Sequence, residues 1–352
     1  MWLDALLTDM RRRAETLGHP RIRTIFFGGG TPSLLPPDAI HQAISAAATW
    51  FSLDTDVEIS MEANPDSVNV ERALGFRAAG VNRVSLGAQA LDDALLRAVG
   101  RIHDKAAVLS AFRALRNAGF DNIGLDFIWG LPGESLGSWK AQLAEAVALN
   151  PEHLSCYGLT LEEGTPLFYE RDRLSLPDEE EAAAMYLEGG ELLERAGYAQ
   201  YEISNYARPG RACRHNLGYW TGEDYLGLGP ASVSCLGNRR MTQPSNLDLW
   251  LTSVRNGHDA AETEILGFRE RAEEFVMLSL RTAEGLRLEE YRRLTGHDFF
   301  ADNRPLIDAL TAQNMAMLKN GRFFLTRRGM LVSNAVIEQC FETIPHEPEA
   351  TA

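Results

Sequence analysis

Residues able to grip a small charged molecule recur early in the sequence, each just past a short apolar run. Phe26 and Phe27 lead into Gly28, Gly29 and Gly30, followed by Thr31 and Pro32. Without side chains, such backbone can approach a ligand closely, although a plain turn uses the same residues. Glu62, within MEANPDS (61–67), offers a carboxylate to an ammonium or a ribose hydroxyl, or to a purely structural partner. Gln89, at the end of RVSLGAQ (83–89), adds an amide that donates and accepts. Arg101, in GRIH (100–103), can hold a carboxylate through two parallel hydrogen bonds, which a lysine cannot. Asp126 interrupts an apolar stretch, where a carboxylate without a partner is costly to bury. A hydrogen bond inside the fold would satisfy it, and so would a ligand. An arginine for a carboxylate, acidic groups for an ammonium and a ribose, and a bare peptide edge together meet the demands of an amino-acid nucleoside.

The elements that must position these residues are legible. Apolar runs at 23–27, 57–61, 83–86, 122–128 and 153–159 alternate with helical spacing at 37–51, 67–79, 104–118 and 134–149. Gly80 and Gly119 stand where helix C-caps belong. This is the pattern of βα units around a parallel sheet, an α/β fold whose strand ends form the working face. Trp2–Leu17 reads as an opening helix, with Leu3, Leu6, Leu7, Met10 and Leu17 on one side and Arg11, Arg12 and Arg13 toward solvent. After Pro177 come an acidic helix (178–194), a strand-like 200–204 and a loop-rich stretch (205–237) expected to cover the barrel mouth. From Phe268, helices at 269–280, 288–294 and 303–313 and a hairpin pairing 323–326 with 330–332 suggest a small winged-helix-like module. Its helices are not notably basic, which favours packing or partner docking over DNA.

Composition narrows the classes further. With 45% hydrophobic and 24% charged residues the chain can build a sizeable core. A net charge of −15 argues against nucleic acid or anionic lipid as the first partner. No run approaches the roughly 20 apolar residues that span a bilayer, and Met1 opens into an amphipathic pattern, so the cytosol is the expected compartment. Cys156, Cys213, Cys235 and Cys340 are widely separated and are expected to be reduced, mostly structural thiols.

Eight motifs then occur in order: GGGTPSLL (28–35), MEANPDS, RVSLGAQ, GRIH, LDFIWGLPGE (125–134), YGLTLEEGTPL (157–167), YEISNYARPG (201–210) and CRHNLGYW (213–220). Over residues 1–340 the chain resembles the HemN/HemW family of radical S-adenosylmethionine (SAM) proteins, nearer to the HemW-type heme chaperones. The resemblance implies a partial (β/α)6 barrel over 1–198, a capping and linking region over 199–267, a HemN-type C-terminal domain over 268–341 and a tail over 342–352. In that family the glycine motif cradles the methionine part of SAM, which falls here on Gly29, Gly30 and Thr31. Further SAM contacts fall on Glu62, Gln89, Arg101 and Asp126. The H-N-x-x-Y-W element, here His215, Asn216, Tyr219 and Trp220, is associated with heme in HemW-like proteins and makes His215 the expected iron ligand. Imidazole is a common axial ligand and the two aromatics could pack on a porphyrin, though apart from the resemblance a loop histidine beside aromatics is more often structural or incidental.

The sequence also departs from the family. The [4Fe–4S] cluster is held there by a C-x-x-x-C-x-x-C loop after the first barrel strand, and the chain as given contains neither loop nor strand. It opens at what matches the following helix, roughly 30 residues in by the usual unit size. A start site assigned too far downstream is the favoured explanation over natural loss. The chain as given is expected to bind no such cluster, and the edge of 23–27 is expected to be aggregation-prone. The leading functional expectation is a heme chaperone that binds heme and SAM and delivers heme to acceptor proteins, with peripheral contact to membrane-bound acceptors allowed. The alternatives are an oxygen-independent coproporphyrinogen III dehydrogenase and a cluster-free SAM or tetrapyrrole binder, so whether the chain is an enzyme stays open.

Overall fold

In the computed structural model, which describes residues 1–346, an opening helix α1 (Trp2–Leu17) is followed by regular alternation. The order is β1 (Arg21–Phe27), α2 (Pro37–Trp50), β2 (Ser52–Ala63), α3 (Val70–Ala79), β3 (Arg83–Gln89), α4 (Asp93–Ala98), α5 (Lys105–Asn117), β4 (Ile123–Trp129), α6 (Leu136–Ala148) and β5 (His153–Gly158). Helices α7 (Pro166–Glu170) and α8 (Glu179–Arg195) lead to the short strands β6 (Ala199–Gln200) and β7 (Asn205–Ala207). The sheet runs β1-β2-β3-β4-β5-β7-β6; β2 through β5 pair in parallel, and β7 reverses direction against β5. The architecture is the α/β half-barrel that the alternation implies.

Helix starts follow local chemistry. Asn69, Asp104, Ser135 and Asp178 each accept a hydrogen bond from the backbone N–H three residues on, satisfying a donor the helix leaves open. The strands then sort their side chains by parity. In β4, Ile123, Leu125 and Phe127 are fully buried, and Phe127 meets Trp139 of α6 edge-on at 6.2 Å, so odd positions face the helices. Gly124 and Asp126 therefore take the opposite face.

The chain divides into two compact units. One, 23–41 with 56–213, carries most of this sheet; the other comprises 1–22, 42–55 and everything from Arg214 onward. The second unit holds α9 (Arg214–Trp220), a sheet of order β10-β9-β8 from β8 (Val233–Leu236), β9 (Arg239–Thr242) and β10 (Glu262–Ile265), and α10 (Leu247–Arg255). Its C-terminal part comprises α11 (Phe268–Ser279), β11 (Leu286–Arg287), α12 (Leu288–Thr295), α13 (Phe299–Asp302), α14 (Arg304–Ala312), β12 (Ala316–Lys319), β13 (Arg322–Leu325), α15 (Arg327–Leu331) and α16 (Ser333–Glu342). Tyr291, Phe299 and Phe323 stack there at centroid separations of 5.1 and 5.7 Å, a small aromatic core.

Three local expectations change. Arg13, expected toward solvent, is 9% exposed and pairs with Asp9 and Asp259. Residues 200–204 mostly form the turn joining β6 to β7. The C-terminal hairpin pairs β12 with β13 across Asn320-Gly321, while 327–331 is helical because Thr326 accepts a capping bond from Gly329. No helix among the described residues is long and apolar enough to cross a membrane.

Candidate functional site

Strand register gathers the polar residues into two rows on one face of the sheet. Glu62, Ser85, Gly124 and His153 are successive partners across β2, β3, β4 and β5. Next to them run Gly87, Asp126, Ser155 and Asn205. Since paired residues in a sheet point the same way, Glu62 and Asp126 face a common space.

Asp126 is held from both sides. Ser85 Oγ donates to it at 2.9 Å and Ser155 Oγ at 2.6 Å. Its carboxyl still binds a proton more tightly than usual, because burial outweighs these bonds and the nearby Arg83 charge. Glu62 is raised as well, first by burial and then by the negative charge of Asp126, against a hydrogen bond from Gly29 N–H at 3.2 Å. Two carboxylates that resist ionising together form a site that a cation would relieve.

The loop after β1 is tied to the end of β2. Gly29 and Gly30 both take left-handed φ values of 73° and 50°, which glycine adopts without strain. Asn64 Nδ2 donates to Thr31 Oγ1 at 3.3 Å, and the buried Ser33 Oγ lies 2.6 Å from Ser67 Oγ. A Cβ on Gly28 would come within 2.4 Å of the Phe26 ring, which would have to move to admit a side chain.

β3 ends irregularly. The register slips between Gly87 and Gln89, a β-bulge, and Gln89 has φ 64°. Ala90 N–H donates to Ala88 O at 2.8 Å, which closes a three-residue turn with Gln89 at its centre. Arg101 follows α4, its N–H bonded to Leu96 O at 2.9 Å. Its guanidinium is half-exposed and forms no hydrogen bond or ion pair among the described residues. Ile102 beside it is 88% exposed, whereas His103 is 8% exposed and its Nε2 lies 3.2 Å from Ala88 O.

Glu134, beyond β4, is 4% exposed and accepts from Gly130 N–H (2.8 Å), Leu131 N–H (3.2 Å) and Gln142 Nε2 (2.7 Å). Burial pushes it up to about 7 despite those bonds. Sequence reasoning passed over Ser85, Ser155, His103 and Glu134. The available signal for the serines was a single small hydroxyl residue inside each of two largely apolar runs, RVSLGAQ and HLSCYG.

The second group lies on α9. His215 Nε2 is 3.1 Å from Tyr219 Oη, and the two rings meet edge-on at 4.9 Å. Tyr219 in turn meets Tyr225 at 4.7 Å. Asn216 and Trp220 share this helix, and the buried Trp220 Nε1 has no hydrogen-bond partner among the described residues. The four cysteines are free thiols; burial raises those of Cys156, Cys235 and Cys340, the last to about 12, so they are poor thiolate ligands. Among the described residues no three His, Cys, Asp or Glu side chains are grouped to hold a metal ion.

The half-barrel matches the radical SAM fold, which sets the class of protein. Residues 6–143 match the Radical SAM superfamily and 269–332 the HemN C-terminal domain. The chain is 34% identical to the heme chaperone HemW of Escherichia coli, over 96% of this chain and 89% of that protein. It is equally identical to the mouse radical S-adenosyl methionine domain-containing protein 1, mitochondrial, over 99% of this chain and 83% of that one. The solved structure of E. coli coproporphyrinogen III oxidase (HemN) shares the fold, with a TM-score of 0.80 at 23% identity over 97% of this chain and 82% of that one. The chain belongs to the HemW family of radical SAM proteins. SAM and a [4Fe–4S] cluster are that superfamily's cofactors.

Proposed function

We propose that this protein is a cytoplasmic heme chaperone that binds SAM at the strand tips and heme at α9, and passes heme to acceptor proteins. The observation that carries the SAM reading is the coupled carboxylate pair Glu62 and Asp126, facing one space beside bare backbone. SAM bears a sulfonium and an ammonium, and so supplies the positive charge these groups lack. Gly29, Gly30 and Thr31 would receive its methionine part, Glu62 its ammonium and Arg101 its carboxylate, with Gln89 and Asp126 on the ribose. When bound, SAM would supply an alkylated sulfur centre and the positive charge that favours the ionised forms of Glu62 and Asp126; the protein's own residues would orient it. Among the described residues no cysteines are grouped to hold a cluster.

Heme is the cargo. His215 supplies an imidazole at the protein surface, and coordination through Nε2 would replace its hydrogen bond to Tyr219. The likeness to HemW proteins over nearly the whole chain supports this assignment. Heme titration followed by the Soret band is the test. Wild type is expected to saturate at one heme per chain, with His215→Ala weakened about tenfold or more, as expected for losing an axial ligand. Equal affinities would remove His215 as the ligand, and no saturable uptake by wild type would overturn the chaperone reading.

A further inference from the structure

His103 has no counterpart among the ligand-facing groups, yet its placement requires explanation. It is buried between Ile102, 88% exposed, and the exposed Asp104, in a loop that otherwise faces solvent. Its partner is the carbonyl of Ala88, at 3.2 Å. A carbonyl only accepts, so Nε2 carries the proton.

That carbonyl is a special one. It also closes the turn around Gln89, a non-glycine residue held at φ 64°. Such backbone is strained for a residue that carries a side chain and persists only where surrounding structure fixes it. The loop after β3 is anchored from behind as well: Leu91 N–H donates to the buried Gln142, which donates to Glu134. His103 joins the turn of Gln89 to the loop of Arg101 by a side-chain hydrogen-bond contact, beside the apolar packing of Ala90 on Leu95 and Leu96.

We propose that His103 is a positioning residue: by gripping Ala88 O it sets Gln89 and Arg101 in one fixed relation and thereby tunes affinity for a carboxylate-bearing nucleoside. The inference rests on the SAM reading above. His103 touches neither end of the ligand; it acts through the two residues that do.

The test is equilibrium dialysis with SAM on the full chain. His103→Phe keeps the bulk but removes the donor, and His103→Gln restores an N–H. His103→Phe is expected to raise the dissociation constant about tenfold, the usual scale for one well-placed buried hydrogen bond, with His103→Gln back within about twofold. In a Gln89→Ala/Arg101→Ala background, adding His103→Phe is expected to change affinity less than about twofold, since the residues it acts through are gone. Equal binding by His103→Phe and wild type would overturn the positioning role, as would an undiminished loss in that background or a failure of His103→Gln to rescue. Should His103→Phe not fold, the wild-type ring N–H resonance decides: SAM is expected to slow its solvent exchange, and no change at saturation overturns the proposal. A wild type that binds no SAM would instead overturn the SAM reading itself.

Discussion

At Glu134 the fold places three hydrogen-bond donors around a carboxyl that burial nevertheless pushes up to about 7. The direction fixes a pH dependence. Below about 4.5 the carboxyl is neutral in both folded and unfolded chains; between there and about 7 only the unfolded chain loses its proton, so the stability this group contributes falls as pH rises. The loss amounts to about 3 kcal/mol once pH exceeds 7. Glu134→Gln does not titrate, so its thermal midpoint relative to wild type is expected to climb by several degrees between pH 4.5 and 7.5. A difference that stays constant with pH would contradict the placement. Individual residues were only partly readable in advance. Asp126 announced itself as a charge in an apolar run, but its serine partners come from β3 and β5. Only strand register, a long-range property, brings them to it.

Elements were legible where periodicity was strong. The parallel strands and their crossover helices fall within a few residues of their expected places, because alternating apolar runs and side-chain caps are local signals. The short antiparallel pieces were not. Asn320 and Gly321, both left-handed, form the two-residue turn between β12 and β13, a stronger cue than the apolar residues at 330–332 that suggested a strand. β3 supplies the functional case. A Cβ on Gly87 would stand 2.9 Å from Gln89 Nε2 and 3.3 Å from Asn64 Oδ1. Both are movable side-chain ends, so Gly87→Ala is expected to fold with a nearly unchanged thermal midpoint while displacing Gln89. Its SAM affinity is expected to fall about tenfold, comparable to one lost polar contact. Unchanged affinity by calorimetric titration would mean that Gln89 does not reach the ligand.

For the molecule as a whole, ordered motifs carried more information than composition. Net charge and hydrophobic content excluded classes without selecting one, whereas eight motifs in sequence pointed to the family that the relatives then established. The division into two units was not readable, because the segment 42–55 groups with the chain's ends although the sheet strands flank it in sequence. The most direct measurement is hydrogen–deuterium exchange with and without SAM, resolved by peptide. Slowed exchange is expected in peptides covering Gly28 to Thr31, Glu62, Ser85 to Gln89, Arg101 to His103 and Asp126, because the proposed SAM site draws on each of these segments. Protection confined to other segments, or none at saturating SAM, would contradict a site built from the strand tips.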